Sequence, residues 1–159
     1  MSQVLGILEN RLFTILVRIA LGLIFIAASL PKIADPPGFA QMIFNYRLVP
    51  GGFVNLIALV MPWLELLCGI ALVLGIWKKT AAGIVGGLLV AFVIAIGINL
   101  IRVHPIDCGC FNASAAGLTA PEQMMDMLWV VVRDLAMLAM VLQILLGTWT
   151  ESRATPFDR

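Results

Sequence analysis

The stretch from residue 81 to residue 101, AAGIVGGLLVAFVIAIGINLI, contains no charged side chain and no alternation of polar and apolar residues. Three further stretches, at 12–33, 53–77 and 127–146, are nearly as apolar. Each has about 20 to 25 residues, the length that an α-helix needs to cross roughly 30 Å of hydrocarbon. The sequence therefore predicts an all-α fold, a polytopic membrane four-helix bundle.

The composition agrees with a membrane protein, since 62% of the residues are hydrophobic, 12% are charged and the mean hydropathy is +1.05. The net charge of +1 provides no basic excess for a phosphate backbone, so nucleic acid is excluded as a partner and membrane lipid is expected. Four spans use most of the chain, which predicts a single transmembrane domain over 1–159. Gly83 and Gly87 form a small-xxx-small pair that predicts close packing of the third span on a neighbour.

The distribution of Lys and Arg predicts the orientation of the spans. The side that carries both termini has five such residues near span ends: Arg11, Lys78, Lys79, Arg153 and Arg159. The other side has three: Lys32, Arg47 and Arg102. Because basic residues accumulate on the cytoplasmic side, we expect cytoplasmic termini in a bacterial inner membrane. The loops at 35–52 and 103–125 then face the periplasm.

The first outward loop contains a second, shorter helical pattern. Residues 35–38, Asp-Pro-Pro-Gly, are expected to end the first helix, and the apolar residues at 39, 42, 43 and 46 have helical spacing. We therefore predict a short interfacial helix over 39–47, with Phe39 and Tyr46 at the level of the lipid headgroups.

The loop between the third and fourth spans carries two cysteines one residue apart, Cys108 and Cys110. A disulfide between them would close a very small ring, and strained disulfides are more readily reduced, so the pair predicts thiol–disulfide exchange. A metal site that adds His104 and a purely structural disulfide remain open as alternatives. The third cysteine, Cys68, is expected to be a buried core residue.

Four ionisable residues fall inside predicted spans, where an unpaired charge is costly: Arg18, Glu65, Arg133 and Asp134. We expect Glu65 to meet Arg133, either as a structural ion pair or with Glu65 as a buried proton acceptor. Lys32, near the end of the first span, is expected to reach the interface without a partner.

Five motifs occur in order along the chain: Pro31-Lys32-Ile33-Ala34-Asp35-Pro36, Tyr46-Arg47-Leu48-Val49-Pro50, Pro62-Trp63-Leu64-Glu65-Leu66, Asp107-Cys108-Gly109-Cys110-Phe111, and Trp129 with Arg133-Asp134. Together they resemble the MauE branch of the DoxX-like redox-associated membrane proteins, over residues 12–146. The resemblance implies a four-helix membrane protein that supports maturation of a disulfide-rich periplasmic dehydrogenase. Asn112 departs from the pattern, since relatives often have Gly after CGCF.

The hypothesis that follows is a membrane thiol–disulfide oxidoreductase. Cys108 and Cys110 would be its catalytic pair, with Glu65 and Arg133 as catalytic residues inside the membrane. Its partner would be a periplasmic thioredoxin-like protein or a disulfide-rich client.

A dithiol that is oxidised must pass on two electrons, so a quinone is the candidate cofactor. We expect it to enter near the aromatic residues Trp63, Phe111 and Trp129, and we expect no metal. The alternative from another class is a non-catalytic membrane anchor or assembly subunit of a respiratory or maturation complex.

Overall fold

The computed structural model describes residues 11–102 and 120–154, which form five α-helices and, over these ranges, no β-strand. They are α1 (Arg11–Ala34), α2 (Pro36–Asn45), α3 (Gly51–Leu74), α4 (Lys78–Ile101) and α5 (Ala120–Ala154). All except α2 contain a segment long and apolar enough to cross a membrane. The predicted all-α fold with four apolar spans is confirmed.

The ends of the long helices differ from the predicted spans for local reasons. The predicted span 53–77 passes through Gly75, but α3 ends at Leu74 because Gly75 adopts a left-handed φ of 77°. Its amide donates to the carbonyls of Ala71 and Leu72 and so closes the helix. In contrast, α5 is longer than the predicted span 127–146. It covers Ala120–Ala154, because the helical backbone continues past both ends of the apolar segment.

The short helix α2 begins earlier than expected, because Pro36 and Pro37 start it instead of only ending α1. Proline is tolerated in a first helical turn, where its missing N–H has no intrahelical partner to lose. The Asp35 side chain accepts a hydrogen bond from the Gly38 amide at 3.1 Å and caps the new helix. The predicted short helix in this loop is therefore present, over Pro36–Asn45.

A close helix contact joins α1 to α3 at two glycines. A Cβ atom added to Gly22 would lie 2.7 Å from the carbonyl oxygen of Gly69, and one added to Gly69 would lie 2.9 Å from that of Gly22. Hydrogen atoms in place of side chains thus allow the two backbones to touch. Gly83 and Gly87, which we expected to make such a contact, are exposed and have open space beside them in the structure.

The helices form one bundle with an apolar centre and a second apolar cluster at one end. The central cluster draws on α1, α3, α4 and α5 and includes Leu21, Leu72 and Val85, all with no exposed surface. The second cluster contains Tyr46 and Ile96, and Asn99 of α4 donates to the Tyr46 carbonyl at 3.3 Å. We call this end, where α1 and α4 finish, α2 lies and α5 starts, the loop end.

Candidate functional site

An ion pair is buried between α1 and α3, with Lys32 near the C-terminal end of α1 and Glu65 near the middle of α3. The Nζ atom of Lys32 lies 2.9 Å from Oε1 and 2.7 Å from Oε2 of Glu65, and both side chains are 8% exposed. The same ammonium lies 5.3 Å from the ring centroid of Phe39 on α2, within the range of a cation–π interaction. Lys32 therefore connects α1 to both α3 and α2.

The partner of Glu65 differs from the expected one. We predicted a pair with Arg133 and a solitary Lys32 at the interface, but Lys32 is buried and holds both carboxylate oxygens of Glu65. The expectation for Lys32 was wrong because a helical side chain leans toward the helix N-terminus. From the C-terminal end of α1, that direction leads into the bundle.

A second ion pair lies on α5, between neighbours in sequence. Arg133 donates from Nε at 3.1 Å and from Nη2 at 3.0 Å, and both bonds go to Oδ1 of Asp134. The Asp134 side chain is 1% exposed. Its other oxygen, Oδ2, is buried and accepts no hydrogen bond from the described part of the chain. A buried carboxylate oxygen without a donor is costly, so this atom marks a place for a hydrogen-bond donor.

The two ion pairs border one small cavity. Its volume is about 50 Å³, and Lys32, Glu65, Arg133 and Asp134 all line it. We call these four residues the charged cluster. Two cations balance two anions, so the cluster carries no net charge when all four residues are ionised. The cavity exceeds the ~10–15 Å³ that one water molecule requires, and a donor can therefore reach Asp134.

A larger apolar cavity adjoins the charged one under α2. It has a volume of about 240 Å³ and is lined by α2, the segment that follows it, α3 and α4. Among the described residues that line it, only Tyr46 has a side-chain oxygen or nitrogen atom. Met61 and Phe92 line both cavities, so they form the wall between the apolar space and the charged cluster.

Sequence reasoning identified Glu65, Arg133 and Asp134 as ionisable residues inside the spans, and the structure places all three at one cavity, with Arg133 partly exposed. It missed Lys32 and the apolar cavity. The apolar spacing at 39, 42, 43 and 46 was the available signal for the cavity, since all four of these residues line it. Arg18 lies elsewhere, with its guanidinium beside Gly75 at the C-terminus of α3, where a cation interacts favourably with the helix dipole.

Of the other residues considered in the sequence analysis, some lie within the described part of the chain and some lie outside it. Trp63 and Trp129 are 51% and 69% exposed, and neither lines one of the two cavities. Cys68 is a buried core residue, as expected. Cys108, Cys110 and Phe111 lie outside the described residues, as does His104 of the alternative metal site.

Among the residues whose side chains the structure describes, no group of three or more His, Cys, Asp or Glu would suit a metal ion. The charged cluster itself has only two carboxylates, each already bound to a cation. Its side chains act in the structure as hydrogen-bond donors and acceptors.

Four apolar helices with charged residues paired in their interior define a multi-pass helical membrane protein. Residues 10–150 match the family described as methylamine utilisation protein MauE. The chain therefore belongs to the MauE family, as its motifs indicated.

Curated relatives of the chain carry the name methylamine utilization protein MauE. The chain is 41% identical to that of Methylorubrum extorquens over 69% of its length, 39% identical to that of Methylophilus methylotrophus over 55%, and 34% identical to that of Paracoccus denitrificans over 82%. These matches cover 60%, 47% and 67% of the relatives' own lengths, respectively. No solved structure matches the chain.

Proposed function

We propose that this protein is an accessory protein of methylamine utilisation that performs thiol–disulfide exchange through Cys108 and Cys110. The names of its relatives support the first part of the proposal. Two cysteines in one short loop support the second, because a helical membrane bundle does not need vicinal thiols for its own stability. The wider DoxX-like grouping remains a prediction.

The observation that carries the proposal is a charged cluster inside a bundle whose α4–α5 connection contains both cysteines in its sequence. Residues 103–119 connect Arg102, which caps α4, to Ala120, where α5 begins, and both belong to the loop end. The cavity lies inside the bundle, with Glu65 near the middle of α3 and Lys32 near the loop-end terminus of α1. The thiol pair in the connection between α4 and α5 and the charged cavity inside the bundle are the two features that the proposal uses.

The proposed reaction oxidises a client. A client thiolate attacks the Cys108–Cys110 disulfide, and one sulfur of the pair leaves as a thiolate. The second client thiolate then attacks the mixed disulfide, so the client gains a disulfide and the pair becomes a dithiol. Two electrons pass to the pair, and its thiolates take up two protons. Glu65 and Arg133 are proposed to serve this chemistry by maintaining the charge balance around the cavity.

The proposal places the chain in a bacterial inner membrane as a single transmembrane domain. The termini would be cytoplasmic and the 103–119 loop periplasmic, in keeping with the distribution of Lys and Arg. In that compartment disulfides persist, and a thioredoxin-like protein or a disulfide-rich client is the natural exchange partner.

Thiol trapping in membranes tests the function. Across a dithiothreitol series, alkylation gel shifts should show the two thiols appearing together, as one two-electron couple. The single variant Cys110→Ser should accumulate a mixed disulfide through Cys108 when the Cys108 thiolate meets a partner disulfide, because exchange passes through this species in both directions. Cys68→Ala is the matched control and should leave both results unchanged.

A growth assay separates the catalytic role from a scaffold. In a host that grows on methylamine and lacks its own MauE protein, Cys108→Ser with Cys110→Ser should abolish growth on methylamine while the protein remains in the membrane. Full growth with the double variant would instead support the non-catalytic anchor or assembly subunit. Zinc release on acidification, with no disulfide at any reductant concentration, would support the metal site.

A further inference from the structure

We propose that the apolar cavity under α2 and the charged cluster beside it together form a binding site for a lipid-soluble quinone. This inference rests on the proposed function, because the dithiol produced there needs a two-electron acceptor. The ring would occupy the space lined by Phe39, Tyr46 and Ala95, and its oxygen atoms would face the charged cluster.

The cavity has the size and surface that a quinone ring requires. Its volume of about 240 Å³ lies just below the ~300–1,000 Å³ typical of small-molecule sites, as suits a ring whose hydrocarbon tail stays in the lipid. Its walls are apolar, with the aromatic rings of Tyr46 and Phe92 6.1 Å apart. Ala91 lines the cavity and is also exposed on α4, so the site is open toward the bilayer.

The charged cluster supplies the polar groups that distinguish a quinone from a plain lipid chain. An ammonium has three donors, and two of those of Lys32 go to the oxygens of Glu65. The third remains for a ligand on the side of Phe39, whose ring lies both beside Lys32 and in the apolar cavity. A quinone carbonyl is an acceptor of the kind this donor can serve.

Asp134 supplies the complementary group. Its buried Oδ2 accepts no hydrogen bond from the described residues, although it lies at the charged cavity. A quinone has no proton to offer this oxygen, but a hydroquinone has hydroxyl donors. The Lys32 ammonium would thus donate to a carbonyl of the quinone, and Asp134 would accept from a hydroxyl of the hydroquinone.

The wall between the two cavities does not prevent this arrangement. Met61 and Phe92 border both spaces, and methionine side chains adopt alternative rotamers easily. A ring oxygen that passes between these side chains reaches the charged cluster directly.

The electron balance agrees with the proposed reaction. Oxidation of the Cys108–Cys110 dithiol to a disulfide releases two electrons and two protons. Reduction of a quinone to a hydroquinone takes up two electrons and two protons. The net change forms one S–S bond, breaks two S–H bonds and forms two O–H bonds, so no further co-reactant is required.

Binding is tested directly with purified protein in phosphatidylcholine nanodiscs, a photoreactive azido-ubiquinone as the probe and decylubiquinone as competitor. We expect saturable labelling that maps to α2, α3 or α4. Ala95→Phe fills the cavity and should weaken binding by about tenfold or more. Ala139→Phe makes the same change on an exposed face of α5 and should bind as the unmodified protein does.

A second variant covers the case in which Ala95→Phe does not fold. Ala91→Phe narrows the opening at an exposed position, where an added ring costs little stability, and it should also weaken binding. Equal binding by the Ala91, Ala95 and Ala139 variants would overturn the proposal. The proposal would also be overturned if the unmodified protein, folded in phospholipid nanodiscs, showed no saturable labelling by the quinone probe.

The same assay distinguishes failure of the site from failure of the proposed function. The double variant Cys108→Ser with Cys110→Ser should bind quinone normally, because the site is formed by other residues. Binding without redox cycling of the thiols would keep the site and reject the oxidoreductase. Redox cycling without quinone binding would keep the oxidoreductase and reject this acceptor.

Discussion

Replacing Glu65 with Gln removes the anion that holds the Lys32 ammonium inside the bundle. Both side chains are 8% exposed, and both carboxylate oxygens lie within hydrogen-bonding distance of Nζ. Removal of one partner from a buried ion pair costs about 3–5 kcal/mol. Lys32 lies near the end of α1 and can turn toward the interface, so we expect the lower figure, about 3 kcal/mol. For a chain of this size that corresponds to a fall in Tm of about 6–12 °C.

The assay is reversible unfolding in mixed micelles, followed by circular dichroism, for a double-mutant cycle. Adding Lys32→Met to Glu65→Gln should recover part of the lost stability, because no buried charge is then left without a partner. The interaction free energy should be about 2 kcal/mol, within the range found for residues in contact. Lys79→Met makes the same substitution at an exposed lysine, and its effect should add to that of Glu65→Gln. Additive effects of Lys32→Met and Glu65→Gln would refute the reasoning.

Two further predictions concern packing and topology. Gly69→Leu should destabilise the bundle by about 1–3 kcal/mol, because the new side chain would collide with α1. Gly87→Leu adds the same side chain beside open space and should change stability little. The same unfolding assay compares the two variants, and equal effects would contradict the observed contact. A membrane-impermeant maleimide applied to intact, mildly reduced cells should label Cys108 or Cys110 but not the buried Cys68, and labelling only after permeabilisation would reverse the proposed orientation.

Much of the fold follows from apolar length alone. The four spans and the all-α class were predictable because each stretch must satisfy its backbone hydrogen bonds internally within lipid. The ends were less predictable, since they depend on backbone geometry: Gly75 closes α3 although the apolar residues continue beyond it. The contact between Gly22 and Gly69 was missed for another reason, since a small-residue pair on two different helices leaves no spacing pattern in either one.

The charged cluster shows where sequence reasoning about the site reaches its limit. Buried charges must be paired, so the expectation of a partner for Glu65 was sound. Which residue becomes that partner depends on the register between α1 and α3, and the Gly22–Gly69 contact sets this register. In an antiparallel pair with that register, Lys32 faces residue 59 and lies about 9 Å from the level of Glu65. A lysine that leans toward its helix N-terminus spans much of this distance and the glutamate side chain the rest.

The neutrality of the charged cluster limits how it can take part in redox chemistry. A proton added to Asp134 alone would leave one uncompensated positive charge inside the bilayer, which is unfavourable. A proton that arrives together with an electron on an adjacent ligand leaves the total charge unchanged. In the proposed reaction, the arrangement would therefore favour coupled transfer of protons and electrons over the accumulation of either. This agrees with a dithiol as donor and a quinone as acceptor, because both exchange electrons and protons in equal number.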